Sequence, residues 1–202
     1  MITLIIIAAT GIISYMAFKD YNLKLKYMFI PYSIQHNNEY HRILSHIFLH
    51  GDWMHLLFNM FVLFNFGSIL EDKFYELGVG IPALHYSLLY FGAAFFSTII
   101  PFARHKDNPN YMSLGASGCV SAVLFAYICI LPDTPLQFVF FPFFSIPAWA
   151  IGIGYLAYEY YMDKRGGSHI AHDAHIGGAI FGIAFMLLFH FNAVKNAIFA
   201  LF

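Results

Sequence analysis

Residues 114–131 read Leu-Gly-Ala-Ser-Gly-Cys-Val-Ser-Ala-Val-Leu-Phe-Ala-Tyr-Ile-Cys-Ile-Leu, a stretch without any charged side chain. A helix needs about 17–25 mainly apolar residues to cross the hydrocarbon core of a bilayer, so this stretch is long enough. Further stretches of similar length and composition lie at approximately residues 2–18, 53–70, 79–102, 138–162 and 173–191. The sequence therefore predicts an all-α membrane protein, a bundle of six transmembrane helices.

The composition of the whole chain agrees with this class. Of the 202 residues, 60% are hydrophobic and 10% are charged, whereas soluble domains carry about 25% charged residues. We expect one domain over residues 1–202, because the polar connections are short except for residues 19–51. That long first loop contains the apolar runs Met28–Tyr32 and Ile43–Leu49, which favour a folded segment in the membrane interface over a disordered linker. A net charge of -1 and the lack of a basic stripe argue against nucleic acid as a partner.

Polar side chains at membrane depth are costly, so each needs a partner or a function. His55 and Asn59 are four positions apart on the second predicted helix and therefore share one face. They could supply hydrogen-bond donors to a reacting group. The alternative interpretation is that they only cross-link neighbouring helices.

Ser117 stands at the start of the fourth predicted helix, between the small residues Gly115 and Gly118. Free backbone N–H groups and the positive end of the helix dipole favour negative charge at such a position. This is a suitable environment for a nucleophilic serine and an oxyanion, although serines also occur in membrane helices merely as packing residues.

His175 precedes Gly178 and Gly182, whose spacing favours close approach of another helix. If that helix is the fourth, Ser117 and His175 form a nucleophile with its base. Asp173 is only two positions from His175 and should not face it, so we predict a dyad. An interfacial histidine in contact with water is the alternative.

These motifs together closely resemble those of the rhomboid intramembrane serine proteases. The matching strings are His46-x3-His50-x4-His55-x3-Asn59, Gly115-Ala116-Ser117-Gly118 and Ala174-His175-x2-Gly178-x3-Gly182. The resemblance implies that Ser117 is the nucleophile and His175 the base, and that His55, Asn59 and the Ser117 N–H form the oxyanion hole. Supporting roles follow for residues that match structural positions of the family, namely His50, Arg42, Glu71, Gly115, Gly118, Gly178 and Gly182.

The resemblance also implies the partners and the setting. Substrates would be transmembrane segments of other proteins within the lipid bilayer, and neither a metal nor an organic cofactor would be needed. From the sequence we expect the plasma (inner) membrane of a bacterium.

Two positions depart from the family pattern. His41 stands where the family usually has tryptophan, which affects how the first loop is seated. Ser121 stands where an aromatic residue usually stacks on the catalytic histidine. This second departure would either lower activity, giving a catalytically impaired rhomboid-like protein, or leave the stacking to another aromatic residue.

The sequence is also compatible with other function classes. The spacings His46-x3-His50 and His169-x2-His172-x2-His175 suggest a metal-dependent membrane oxidoreductase, although paired His-His boxes and ligating carboxylates are missing from these motifs. A transporter has little support, because repeated halves with interrupted helices are not visible. Orientation is also open: eight of the ten Lys and Arg residues lie in odd-numbered loops, which the positive-inside rule places in the cytoplasm, whereas the resemblance places those loops outside.

Overall fold

The computed structural model describes residues 1–138, 141–168 and 170–201, most of them in helices. Among these described residues, four helical stretches are long and apolar enough to cross a membrane: Ile2–Lys19, Trp53–Glu76, Pro82–His105 and His172–Phe189. They correspond to four of the six predicted spans. The full six-helix count stays a prediction.

The helices are numbered in chain order. The first span is α1 (Ile2–Lys19), and the following segment holds α2 (Tyr21–Tyr27), α3 (Pro31–Asn37), α4 (Arg42–Ser45) and a 3-10 turn (His46–Phe48). The second span contains α5 (Trp53–Val62), a π-helical turn (Leu63–Gly67) and α6 (Ser68–Glu76), and the third contains α7 (Pro82–Ser97) and α8 (Ile99–His105). The remaining helices are α9 (Ser117–Ile130), α10 (Ala148–Arg165), α11 (His172–Phe189) and α12 (Phe191–Phe199).

The predicted fifth span, residues 138–162, is wrong over its first part. An antiparallel hairpin of β1 (Pro135–Phe138) and β2 (Phe141–Pro147) precedes α10, and residues 139–140 lie outside the described residues. Prolines inside a helix remove a hydrogen bond and restrict the preceding residue, and α10 begins only after Pro147. The second half of α10 carries Glu159, Asp163, Lys164 and Arg165, which makes it more polar than the four apolar spans.

Two of the remaining differences from the predicted boundaries have local reasons. The fourth predicted span begins at Ser117 rather than at residue 114, because Gly115 has φ +131°, a conformation that ends any helix and favours glycine. The last predicted span ends at Phe189, and the chain then forms α12, which the sequence interpretation missed.

Helices α9 and α11 are packed backbone against backbone. A Cβ atom on Gly178 would overlap the carbonyl of Gly118, and one on Gly182 would overlap the carbonyl of Ala122. Small residues permit this approach, as in other close membrane helix pairs. The contact fixes the start of α11 beside the start of α9.

The segment after α1 holds the turn that leads into α9. Phe29 and Ser113 exchange two backbone hydrogen bonds of 2.9 and 3.0 Å, and the Gly115 N–H donates to the carbonyl of His46 over 3.1 Å. The Ala116 N–H points to His50 Nε2 at 3.5 Å. Ser113, Gly115 and Ala116, three of the four positions ahead of Ser117, are thus held by one segment.

The side chain of His50 joins this turn to α1. Because Nε2 faces the Ala116 N–H, the proton belongs on Nδ1, which donates to Ser14 Oγ over 2.9 Å. The Ser14 hydroxyl in turn donates to the carbonyl of Phe48 over 2.8 Å. This chain of bonds requires a neutral imidazole, and burial lowers the pKa of His50 to about 3.

Arg42 and Glu71 each join two parts of the helical framework. The Arg42 guanidinium donates to the carbonyls of Leu25 and Met28 over 2.7 and 2.8 Å, which fastens α2 to α4. The buried Glu71 carboxylate accepts from the backbone N–H groups of Ile2 and Thr3 over 2.6 and 3.0 Å. It therefore caps the N-terminus of α1 from α6.

The glycine contact between α9 and α11 predicts a sharp difference between two glycine substitutions. Gly182→Ala should lower the free energy of unfolding by roughly 1–3 kcal/mol, the range for overpacking, because the added methyl group meets backbone that cannot rotate away. Gly154→Ala is the matched control, since no atom lies within 4 Å of the position that its Cβ would take. Melting temperatures in detergent measure both, and equal values for the two variants would contradict the packing account.

The two buried histidines of the first loop predict acid sensitivity. Burial lowers the pKa of His46 to about 4 and that of His50 to about 3, whereas an unfolded histidine has a pKa of about 6.5. The unfolded chain therefore takes up protons that the folded chain does not, so stability is complete above about pH 6.5 and falls as pH decreases toward 4. Each ring should cost about 2 kcal/mol between pH 6.5 and pH 5.

The His50→Asn variant checks this account. It should melt at a lower temperature than the unaltered protein at pH 7.5, because the bonds to Ser14 and Ala116 are weakened. Its further loss of melting temperature between pH 7.5 and pH 5 should be smaller, since one titrating ring is gone. An undiminished pH effect would show that His50 does not carry it.

Candidate active site

Ser117 and His175 meet where α9 and α11 begin. Ser117 is the first residue of α9 and His175 lies in the first turn of α11. The Ser117 Oγ and His175 Nε2 atoms are 2.7 Å apart, although the residues are separated by 58 positions in the chain. The His175 side chain is 13% exposed. The contact joins a hydroxyl to an imidazole in a site that is largely shielded from solvent.

His55 lies beside the turn that precedes Ser117. Its ring sits beside Gly115, where a Cβ atom would be 2.9 Å from His55 Nε2 and 3.7 Å from Ser117 Oγ. The Gly51 N–H donates to His55 Nδ1 over 3.3 Å, which leaves the ring proton on Nε2. Nε2 is therefore a hydrogen-bond donor near the serine hydroxyl.

Asn59 is buried one helical turn below His55. Its Nδ2 donates to the backbone carbonyl of His55 over 2.9 Å. An amide nitrogen has two hydrogens, so one N–H remains for a further acceptor.

An aromatic residue from α10 faces His175. The Tyr155 and His175 rings are nearly parallel, at 24°, with centroids 6.4 Å apart. The Tyr155 hydroxyl is 2.8 Å from Ser121 Oγ. Ser121, the departure noted in the sequence, thus holds an aromatic ring supplied by another helix.

Glu159 was missed by the sequence interpretation, which named His172 only as part of a possible metal site. The Glu159 carboxylate is buried, with Oε1 3.1 Å from His175 Nδ1 and Oε2 2.6 Å from His172 Nδ1. The one available signal was an acidic side chain within a predicted apolar span. Asp173 instead faces Arg104, 3.1 Å away, and Arg104 also pairs with Asp163.

Glu159, His172 and His175 are also the group among the described residues that could hold a metal ion. One ligand atom from each lies within 4.8 Å of the others. His169, part of the histidine spacing noted in the sequence, lies outside the described residues. His46 and His50 do not join this group, since their rings bond Arg42 O and Ser14 Oγ.

Comparison with known proteins gives consistent relatives. A family model described as Rhomboid domain matches residues 37–192. The bovine "Presenilin-associated rhomboid-like protein, mitochondrial" is 28% identical over 155 residues, which cover 76% of this chain and 39% of the relative. The rat protein of the same name is 30% identical over the same shares. The Arabidopsis thaliana "RHOMBOID-like protein 12, mitochondrial" is 29% identical over 147 residues, 69% of this chain and 43% of the relative.

The chain thus spans about two fifths of the length of these relatives. Their names correct the predicted bacterial plasma membrane, because these relatives are mitochondrial rhomboid-like proteins. The matched family model covers more than half of the chain, and the chain therefore belongs to the Rhomboid family.

Proposed function

We propose that this protein is an intramembrane serine endopeptidase in which Ser117 is the nucleophile and His175 its general base. The observation that carries the proposal is the 2.7 Å separation between Ser117 Oγ and His175 Nε2. A neutral imidazole at this distance accepts the hydroxyl proton as the oxygen attacks a carbonyl. Family membership supports the same reaction class.

The position of Ser117 favours the charge that forms during attack. The first N–H groups of α9 have no partner within the helix, and Ala116, the residue before the helix, makes no side-chain cap bond. These groups and the helix dipole stabilise negative charge next to the serine.

His55 and Asn59 complete the proposed oxyanion hole with the Ser117 N–H. The tautomer of His55 leaves Nε2–H as a donor, and Asn59 keeps one free N–H. Donors held in place before the reaction stabilise the oxyanion without reorganisation, each typically by about 2.7–4 kcal/mol.

The proposed reaction then has two stages, acylation of Ser117 and hydrolysis of the acyl-enzyme. Ser117 Oγ bonds to the peptide carbonyl carbon, its proton moves to His175 Nε2, and the carbonyl oxygen becomes the oxyanion. His175 returns the proton to the leaving nitrogen as the peptide bond breaks. Water then attacks the acyl-enzyme, again losing a proton to His175, and Ser117 recovers that proton as the acid product leaves.

Substrates would be membrane-embedded segments of other proteins, cut within the lipid bilayer. The relatives' names lead us to propose a mitochondrial membrane as the location. Protein groups and water suffice for each proton transfer, so the proposed reaction uses no cofactor, metal or nucleic acid.

A metal-dependent reaction is the second candidate, because Glu159, His172 and His175 offer ligand atoms within 4.8 Å of one another. Zinc commonly binds such histidine and carboxylate sets. In that case His175 would be a ligand rather than a base.

The serine mechanism predicts loss of proteolysis in both Ser117→Ala and His175→Ala. Each variant should stay folded and lose cleavage of a labelled transmembrane substrate in liposomes, and the double variant should lose little more, because the two groups act as a unit. The matched control is Ser87→Ala, whose hydroxyl donates only within its own helix to Ala83 O over 2.8 Å. Cleavage retained by Ser117→Ala would remove Ser117 as nucleophile.

The same assay separates the metal alternative. Cleavage by the unaltered protein should continue after treatment with a strong chelator, and a fluorophosphonate probe should label Ser117. Activity that is lost with the chelator and restored by zinc or iron would favour the second candidate.

The oxyanion proposal predicts that Asn59→Ala lowers turnover more than substrate binding. One donor of several is lost, so turnover should fall about 10²-fold, the lower end for such groups, while the fluorophosphonate probe still reacts slowly. Asn65→Ala is the control, because Asn65 makes the same bond to the carbonyl four residues earlier on the exposed side of this span. Unchanged turnover with a lower melting temperature in Asn59→Ala would assign Asn59 a structural role only.

A further inference from the structure

Glu159 is a buried acid on a helix that buries little else. Of the eighteen residues of α10, only Ala148, Gly152 and Glu159 are buried, and the Glu159 side chain is 5% exposed. Removing an ionised carboxylate from water is costly unless partners compensate it. The partners of Glu159 therefore decide what it does.

Both carboxylate oxygens face imidazoles on α11. Oε2 lies 2.6 Å from His172 Nδ1, and Oε1 lies 3.1 Å from His175 Nδ1. His172 and His175 are three positions apart and share one face of the helix. Ser168 Oγ, 3.1 Å from His172 Nε2, completes the set.

This arrangement selects the tautomer of His175 that a base needs. When the proton is on His175 Nδ1, this N–H faces Glu159 Oε1, and the Nε2 lone pair can accept the proton of the Ser117 hydroxyl. In the opposite tautomer, the Nδ1 lone pair would face the negative carboxylate. The His172 ring holds the other oxygen and prevents the carboxylate from turning away.

The alignment between His175 and Glu159 is incomplete in the resting protein. His175 Nδ1 is buried and lacks a well-aligned hydrogen bond among the described residues, although Oε1 is 3.1 Å away. Contacts of catalytic groups are often poorly aligned without substrate and tighten in the reacting complex. A developing imidazolium would attract the carboxylate.

We propose that Glu159 is the positioning residue of His175, so that α10 supplies the acidic member of a Ser117–His175–Glu159 triad. This inference rests on the proposed function. Asp173 bonds Arg104 and the Ala174 N–H instead. Among the described residues, His55 from α5 and Tyr155 from α10 are further titratable groups that approach His175.

The test is Glu159→Gln, which keeps the shape of the side chain and removes its charge. Turnover should fall roughly 10²-fold, less than the ~10⁴-fold loss when an aligned triad is forced into the wrong tautomer. The acid limb of the kcat/KM profile should move to lower pH, because a lost carboxylate no longer stabilises the imidazolium. KM should change much less than kcat.

Two variants separate positioning from mere stability. Glu71→Gln removes another buried carboxylate, one that caps α1, and should lower the melting temperature without moving the pH profile. Glu159→Asp keeps the charge, so its acid limb should lie nearer to that of the unaltered protein than the limb of Glu159→Gln. An unmoved acid limb and normal turnover in a destabilised Glu159→Gln protein would overturn the proposal.

A second measurement does not depend on proteolysis. In the Ser117→Ala protein, the His175 ring can be titrated by NMR after isotope labelling of histidine, with and without Glu159→Gln. A lower His175 titration midpoint in the double variant supports the positioning role of Glu159, and an identical midpoint overturns it. If the unaltered protein cleaves nothing, the proposed function fails, and this titration still decides whether Glu159 acts on His175.

Discussion

The close contact between α9 and α11 is the constraint on which the site depends. Gly178 and Gly182 let the two backbones approach, with Gly118 and Ala122 on the facing surface. In lipid, such packing replaces much of the hydrophobic driving force available to soluble proteins. Because both helices begin near this contact, the side chains at their starts are brought into hydrogen-bond distance.

The segment between the first two spans fixes the turn that leads into α9. Its backbone bonds hold Ser113 and Gly115, and the neutral ring of His50 faces the Ala116 N–H. Ser117 is therefore preceded by a turn that is bonded at Ser113, Gly115 and Ala116. A serine at a helix start keeps one direction only if the preceding turn cannot shift, and the first loop supplies this restraint.

Helix α10 contributes a second set of groups around the histidine. Tyr155 lies parallel to the His175 ring and is held by Ser121, while Glu159 faces the other ring nitrogen. Ser121 lacks the aromatic ring expected at its position, yet its hydroxyl bonds the ring that stands there instead. Helix α10 thus contacts the His175 imidazole with Tyr155 at the face of the ring and with Glu159 at its edge.

The sequence by itself determined the membrane class, four of the spans and the candidate pair Ser117 and His175, because apolar length and small residues at helical spacing are local properties. It did not reveal the hairpin before α10, where prolines and aromatic residues override apolar length, or the start of α9 at Ser117, which depends on the backbone of Gly115. Only the tertiary structure decided which acid approaches His175. Asp173 is near in sequence but points to Arg104, whereas Glu159 comes from another helix. Contacts between helices depend on their relative rotation, and no local pattern of residues specifies that rotation.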